Sequence, residues 1–124
     1  MNPFVNIHTH QNHIDNEEFI EINNIDVDNH VNVDVTFFYS IGIHPWYCQQ
    51  LENKLVIETS RCLGDMNLKA IGECGIDRVC NVDIEIQKDV FIKQIEISER
   101  HNKPMIIHAV RSHSDILSIR KETK

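Results

Sequence analysis

The sequence lacks several features that define common classes of protein. It contains no apolar run long enough to cross a membrane and no signal-peptide pattern, so we expect a soluble, cytoplasmic protein without a membrane partner. Its four cysteines include no Cys-x-x-Cys pair, and we expect reduced thiols that serve as small buried hydrophobes. No Gly-x-Gly-x-x-Gly motif follows a predicted strand, which argues against a dinucleotide-binding domain.

Positive charge is also in deficit. The formal net charge of −7 argues against a sequence-independent, basic DNA-binding surface, although it does not exclude a nucleic-acid substrate. The chain shows no internal repeat, linker or low-complexity segment. At 124 residues, this predicts a single domain over residues 1–124.

What the sequence does contain is one pattern that occurs four times: an apolar run followed by a side chain that can bind a metal ion. The side chains at the ends of these runs are His8 with His10, then His44, Glu73 and His108. Near-continuous apolar runs indicate buried parallel strands, and in parallel α/β folds the ligands lie at the carboxyl ends of the strands. The four runs therefore predict one converging site.

The histidine pair near the start of the chain has the spacing of a metal site. Side chains at positions i and i+2 of a strand point to the same face, so His8 and His10 project together. Two neutral imidazoles of this kind are the usual nucleus of a zinc, manganese, iron or nickel site. A solvated surface pair is the alternative for this motif alone, and the three further runs favour the metal site.

The segments between the runs carry helical patterns. We predict a long helix that starts with Asn81 or Asp83 as its N-cap and ends before Pro104. A second helix is predicted within residues 45–64, and a short third one over about residues 112–121. This alternation of strands and helices predicts an α/β fold with a parallel sheet.

The stretch over residues 11–35 departs from this alternation because it is rich in Asn, Asp and Glu. We predict one strand within it, over residues 19–23. The remainder has the composition of loop or edge structure, but its alternating apolar residues also fit a half-exposed strand. Both interpretations stay open for the part that follows residue 23.

Four motifs, in order along the chain, resemble those of TatD-type metal-dependent hydrolases. They are Asn6–His10, Gly42–Trp46, Ala70–Asp77 and Pro104–His108, and Gln87, Phe91 and Gln94 also fit that family's pattern. The resemblance covers nearly the whole chain and is closest to compact members of the family. It implies an amidohydrolase-like TIM barrel of parallel β/α units, with metal-dependent deoxyribonuclease or phosphodiesterase activity on DNA or a small phosphodiester.

The resemblance also implies a set of metal ligands. His8 and His10 would bind one divalent ion, Glu73 would bridge two ions, and His108 would bind the second. Glu73 and His108 would thereby act in catalysis, through a water activated by the two ions. Zinc, manganese, magnesium, iron and nickel all suit such ligands.

Further residues would face the substrate or shape the loops around it. By the same resemblance, His44 would lie at the mouth of the site and contact a substrate phosphate, and a structural role in the turn is equally open for it. Arg111 would approach the same phosphate or form an exposed salt bridge. Asp77 and Arg78 would organise the loop that follows Glu73.

We expect the barrel to be incomplete in this chain. A TIM barrel needs ~250 residues, and the family's later strands supply a histidine and an aspartate that have no counterpart before Lys124. We therefore expect about half a barrel, impaired hydrolysis, and open strand edges that favour self-association. Two other functions stay open: a PHP-type phosphoesterase, which also begins with His-x-His, and a non-catalytic metal-binding remnant or interaction module.

Overall fold

Five parallel strands form one sheet, in which neighbouring strands follow the order of the sequence. The computed structural model describes residues 4–10, 19–27, 37–51, 54 and 62–123. The strands are β1 (Phe4–Thr9), β2 (Phe19–Asp26), β3 (Tyr39–Gly42), β4 (Leu68–Asp77) and β5 (Met105–Val110). Sequential parallel strands are the arrangement of consecutive β/α units in a TIM barrel. The predicted α/β fold with parallel β/α units is therefore confirmed.

The described helices lie between and after these strands. A short 3-10 helix (Pro45–Tyr47) leads into α1 (Cys48–Leu51), and two longer helices follow as α2 (Ile84–Arg100) and α3 (His113–Glu122). Asp83 is the N-cap of α2, and its side chain accepts hydrogen bonds from the backbone N–H groups of the first turn, as predicted. Residues 52–53 and 55–61 of the predicted second helix lie outside the described residues. Within the described ranges, no helix combines the length and apolar character that crossing a membrane requires.

Two strands are longer than the sequence indicated. β2 continues to Asp26 because residues 23–26 pair in register with the whole of β3. Of the two interpretations left open after residue 23, the strand is therefore the one that holds for residues 24–26, and residues 28–36 lie outside the described part of the chain. β4 likewise continues past Glu73 to Asp77, held by its pairing with β5 as far as Val110.

The buried apolar residues form two clusters along β4. The first includes Tyr39, Ile41, Leu68, Ile71 and Val90, and the second includes Cys74, Ile76, Phe91, Ile95 and Ile119. Cys48, Cys62 and Cys74 are buried, as predicted, whereas Cys80 is half-buried. Cys74 lies wholly inside the second cluster, where burial raises the pKa of its thiol, so it faces away from the site beside Glu73.

Two buried glutamines of α2 fix the strand ends that carry the site. The Gln94 side-chain amide accepts a hydrogen bond from the Ile43 N–H at 2.8 Å and donates one to the Ile43 carbonyl at 3.2 Å. Gln87 binds the N–H and the carbonyl of Asp77 in the same way, at 2.8 and 3.1 Å. A buried backbone segment that is not paired in a sheet needs such partners. The helix therefore holds His44 and the end of β4 at fixed positions.

The two outer strands each have one paired edge among the described residues, since β1 pairs with β2 and β5 with β4. Apolar side chains are exposed at both edges. On β1 these are Phe4 at 71%, Val5 at 57% and Ile7 at 63%, and beside β5 they are Ile107 at 46% and Leu117 at 62%. Exposed apolar edges of parallel strands are a surface on which further chain can pair.

Candidate metal centre

The carboxyl halves of the strands bring the sequence-predicted ligands together. β1 supplies His8, His10 directly follows the last residue of β1, β4 supplies Glu73, and β5 supplies His108. His44 follows β3 and is the N-cap of the short 3-10 helix. Each side chain thus reaches the site from a different strand, apart from the first pair, which shares one face of β1 as the i, i+2 rule requires.

The first group of ligands joins β1 to β4. His8 Nε2 lies 3.2 Å and His10 Nε2 lies 3.4 Å from the same oxygen of Glu73, Oε2. Because β2 and β3 lie between them, β1 and β4 would be roughly 14 Å apart in a flat sheet with strands about 4.8 Å apart. The sheet therefore curves strongly toward the site, in the manner of a barrel wall.

The second group uses the other oxygen of the same carboxylate. His108 Nδ1 lies 3.0 Å from Glu73 Oε1, and His44 Nε2 lies 3.1 Å from that His108 nitrogen. Glu73 thus turns Oε2 toward the two histidines of β1 and Oε1 toward His108. A carboxylate with its oxygens facing separate sets of imidazoles has the geometry of a bridging ligand.

The spacing of these atoms fits divalent ions. With metal–ligand bonds of about 2.0–2.1 Å in tetrahedral geometry, neighbouring ligand atoms lie roughly 3.3–3.4 Å apart. The four contacts between ligand atoms described above, three N–O pairs and one N–N pair, are 3.0–3.4 Å long. In each group, one ligand atom of every residue lies within 4.8 Å of the others, which is close enough for a single ion to bind them all. The groups are His8 with His10 and Glu73, and His44 with Glu73 and His108.

The electrostatics of the site favour a charged Glu73 carboxylate and a neutral His44 ring. Burial by itself would raise the pKa of Glu73, but the neighbouring His108, His8 and His44 rings lower it overall. Burial and the neighbouring His108 lower the pKa of His44. At neutral pH the site therefore offers an anionic Glu73 and a neutral His44, which are the forms of these side chains that bind metal ions.

Asp77 adds a carboxylate behind His108. Its Oδ2 lies 3.0 Å from His108 Nε2 and accepts a hydrogen bond from the Trp46 indole N–H at 2.9 Å. Burial would raise the pKa of Asp77, but the hydrogen bonds from Trp46, the Val79 N–H, His108 and the Cys80 N–H lower it to about 2. The side chain also binds the two backbone N–H groups of the following loop, which agrees with the loop-organising role expected for it.

An open cleft of about 250 Å³ lies beside the two ligand groups. It is lined by His10, Asp26, His44, Trp46, Tyr47 and Glu73. Arg111 is not among the lining residues; it is exposed, with a positive φ of 49° just after β5. Arg78 is paired with Asp115 at 2.7 Å on the outer surface. The structure thus brings His44 to the cleft and leaves both arginines outside it.

Two residues near the site, Asn24 and Asp26, were not predicted from the sequence. Asn24 Oδ1 accepts hydrogen bonds from the Glu73 N–H at 2.6 Å and from the Ser40 hydroxyl at 3.3 Å, so it helps to hold the central carboxylate. Asp26 lines the cleft. Both lie at the carboxyl end of β2, at positions i and i+2, and would have been found with the rule used for β1 if β2 had been predicted to its full length.

Comparison with known proteins supports the same family. The sequence model of the family described as TatD related DNase matches residues 29–124. An uncharacterised metal-dependent hydrolase of Buchnera aphidicola from Acyrthosiphon pisum is 30% identical over 92% of this chain and 47% of its own length. The uncharacterised metal-dependent hydrolase YcfH of Escherichia coli K12 is 31% identical over 69% of this chain and 32% of its own length.

A third relative, the uncharacterised metal-dependent hydrolase TatD of Mycobacterium tuberculosis, is 24% identical over 66% of the chain and 33% of its own length. The chain thus spans about half the length, or less, of the curated relatives that it matches. The matches exclude the PHP-type alternative, and they agree with the ordered motifs and with the clustered His and Glu ligands. The chain belongs to the TatD family of metal-dependent hydrolases.

Proposed function

We propose that this site hydrolyses phosphodiester bonds, in DNA or a related substrate, with two divalent ions bridged by Glu73. The observation that carries this proposal is the orientation of the Glu73 carboxylate, whose two oxygens face separate histidine groups. A mononuclear site would need only one of these groups. Phosphodiester hydrolysis is one reaction class in which paired ions act on both the attacking and the leaving oxygen.

The residues divide between the two ions. His8, His10 and Glu73 Oε2 would hold the first ion, and His108 Nδ1 with Glu73 Oε1 would hold the second. When bound, the ions supply Lewis-acid activation of water and stabilise the charge that develops on the phosphoryl oxygens. Glu73 supplies the negative charge that keeps two cations close together, since the imidazoles contribute none.

His44 is proposed to bind the substrate phosphate. Its Nδ1 accepts a hydrogen bond from the Trp46 N–H at 3.2 Å, so a neutral His44 carries its proton on Nε2. The ring also lines the open cleft. Nε2–H faces His108 Nδ1 at 3.1 Å. Once a metal ion occupied that nitrogen, Nε2–H would donate to an oxygen of a bound phosphodiester instead.

His44→Ala should lower kcat/KM for a phosphodiester by roughly tenfold or more, because a hydrogen bond to a charged group contributes about 1.5–3 kcal/mol. The metal content should stay at the level of the unaltered protein. Steady-state kinetics together with metal analysis check both parts. His113→Ala, an exposed histidine at the start of α3, is the matched control. Loss of one metal equivalent in His44→Ala would make His44 a ligand and contradict the substrate role.

The proposed reaction is tested with purified protein, stripped with chelator and reloaded with Zn²⁺ or Mn²⁺. We expect two equivalents of metal by plasma mass spectrometry, and weak hydrolysis of bis(4-nitrophenyl) phosphate and of an oligodeoxynucleotide that ceases when the metal is removed. Failure of every divalent ion to support hydrolysis would contradict the proposal. Binding of two equivalents without turnover would instead favour the non-catalytic metal-binding module.

We also propose that the open edges of the sheet pair with a second copy of the chain. The support is the set of apolar side chains exposed along β1 and beside β5, described above. Covering such side chains stabilises an assembly by about 25 cal/mol for each Å² removed from water.

The double change Ile107→Lys with Leu117→Lys should therefore shift the protein toward the monomer. Sedimentation velocity over a range of concentrations measures this shift. Val79→Lys introduces one lysine at a residue that is 61% exposed on the loop after β4, and it should leave the association unchanged. An unaltered protein that sediments as a monomer at every concentration would refute the proposal.

A further inference from the structure

We infer that Asp77 is a positioning residue, which holds the ring proton of His108 on Nε2 and thereby leaves Nδ1 free to bind a metal ion. This inference rests on the proposed two-metal centre. His108 Nδ1 is the atom that faces Glu73, at 3.0 Å, and Nε2 is the atom that faces Asp77, also at 3.0 Å. The two nitrogens of one ring thus meet two different carboxylates.

The other partners of Asp77 decide which atom donates. Oδ2 also faces the Trp46 indole nitrogen at 2.9 Å, and Oδ1 faces the backbone nitrogens of Val79 and Cys80 at 2.8 and 3.2 Å. An indole N–H and backbone N–H groups can only donate, and an ionised carboxylate can only accept. Since every other contact delivers a proton to Asp77, the fourth contact is satisfied when His108 Nε2 donates as well.

Asp77 is also held rigidly enough to impose this arrangement. Its side chain is 5% exposed, and Gln87 binds both the N–H and the carbonyl of its backbone. The indole of Trp46 comes from the segment that follows β3, so the carboxylate joins two motifs that are distant in the sequence. When a carboxylate fixes the tautomer of a metal-binding imidazole without touching the metal, its mutation typically lowers the metal affinity by about 10–100-fold.

Asp77→Asn tests the inference because an amide has one acceptor atom in place of two. If its oxygen faces His108 and Trp46, its NH₂ group opposes the N–H groups of Val79 and Cys80. If the amide turns over, its NH₂ group opposes the Trp46 N–H and forces the proton of His108 onto Nδ1. We expect the affinity for the second Zn²⁺ equivalent to fall by about 10–100-fold, with the first equivalent retained.

A second measurement reads the tautomer without any metal. In the ¹⁵N spectrum of the histidine-labelled, metal-free protein at a pH where the ring is neutral, His108 should show protonated Nε2 and unprotonated Nδ1. The signals are assigned by their absence in His108→Gln. In Asp77→Asn the Nδ1–H form should appear. The spectrum of the unaltered protein tests the inference by itself, so a result is obtained even if Asp77→Asn does not fold.

Asp83→Asn is the matched control, because asparagine is as good an N-cap as aspartate and the change is chemically the same. It should leave both metal equivalents and the His108 signals unchanged. The inference would be overturned if His108 Nδ1 were protonated in the unaltered protein. It would also be overturned if Asp77→Asn changed neither the His108 ring signals nor the affinity for the second metal equivalent. Absence of a second metal equivalent in the unaltered protein would refute the proposed centre, and the tautomer measurement would still decide the role of Asp77.

Discussion

Glu73→Ala is expected to abolish both metal equivalents, whereas His108→Ala should abolish only one. Glu73 Oε2 lies within 3.4 Å of both histidines of β1, and Oε1 lies 3.0 Å from His108. Removing this carboxylate deprives each ion of a ligand and removes the only anionic ligand that the two groups share. Removing His108 leaves His8, His10 and Oε2 in place, so the first ion stays bound.

Metal analysis after equilibrium dialysis, together with Zn²⁺ titration calorimetry, separates these outcomes. Glu96→Ala, an exposed glutamate on α2, is the control and should retain both equivalents. Hydrolysis should be lost in both ligand variants, because each lacks at least one ion of the pair. Equal losses of metal in Glu73→Ala and His108→Ala would count against the bridging geometry, and retention of two equivalents in Glu73→Ala would refute it.

Gly75→Ala is expected to destabilise the folded chain by about 3 kcal/mol or more, because it adds backbone strain to a steric clash. Gly75 has a φ of +146°, which residues with a Cβ rarely adopt. A Cβ at this position would overlap the backbone carbonyl oxygen of His108 on the neighbouring strand. The two strands would have to separate at the point where they carry Glu73 and His108.

Urea denaturation followed by circular dichroism measures this loss of stability. Gly64→Ala is a suitable control, because Gly64 is exposed and an added Cβ would meet no atom within 4 Å. The same displacement of β5 should weaken the second metal equivalent even in protein that stays folded. A Gly75→Ala protein with the stability and metal content of the unaltered chain would show that the β4–β5 contact is looser than described.

Features set by nearby residues were readable from the sequence. The apolar runs predicted parallel strands, since a strand buried on both faces needs apolar residues at nearly every position. The i, i+2 spacing of His8 and His10 predicted a shared face, and the position of Asn81 and Asp83 before an apolar stripe predicted that one of them is the N-cap of α2. The ligand-capable residues at successive strand ends predicted that one site would form, because parallel strands point their carboxyl ends the same way.

The tertiary structure decided how those residues meet. The division of the Glu73 oxygens between two histidine groups depends on the curvature of the sheet, which arises from packing across several strands and leaves no periodic signal in the sequence. The same holds for Asp77, whose contacts with Trp46 and His108 span 31 residues in each direction along the chain. Asn24 and Asp26 joined the site because β2 pairs with β3 beyond the point where its composition turns polar.

The sequence by itself thus determined most of the strand positions, the helix start near Asp83, and the ligand types available to a metal. It left open which atom of each ligand faces which partner, and it did not show that Arg111 lies outside the residues that line the cleft. The physical reason is that secondary structure follows from residues a few positions apart, whereas ligand geometry follows from side chains that only the closed curvature of the sheet brings within about 3 Å.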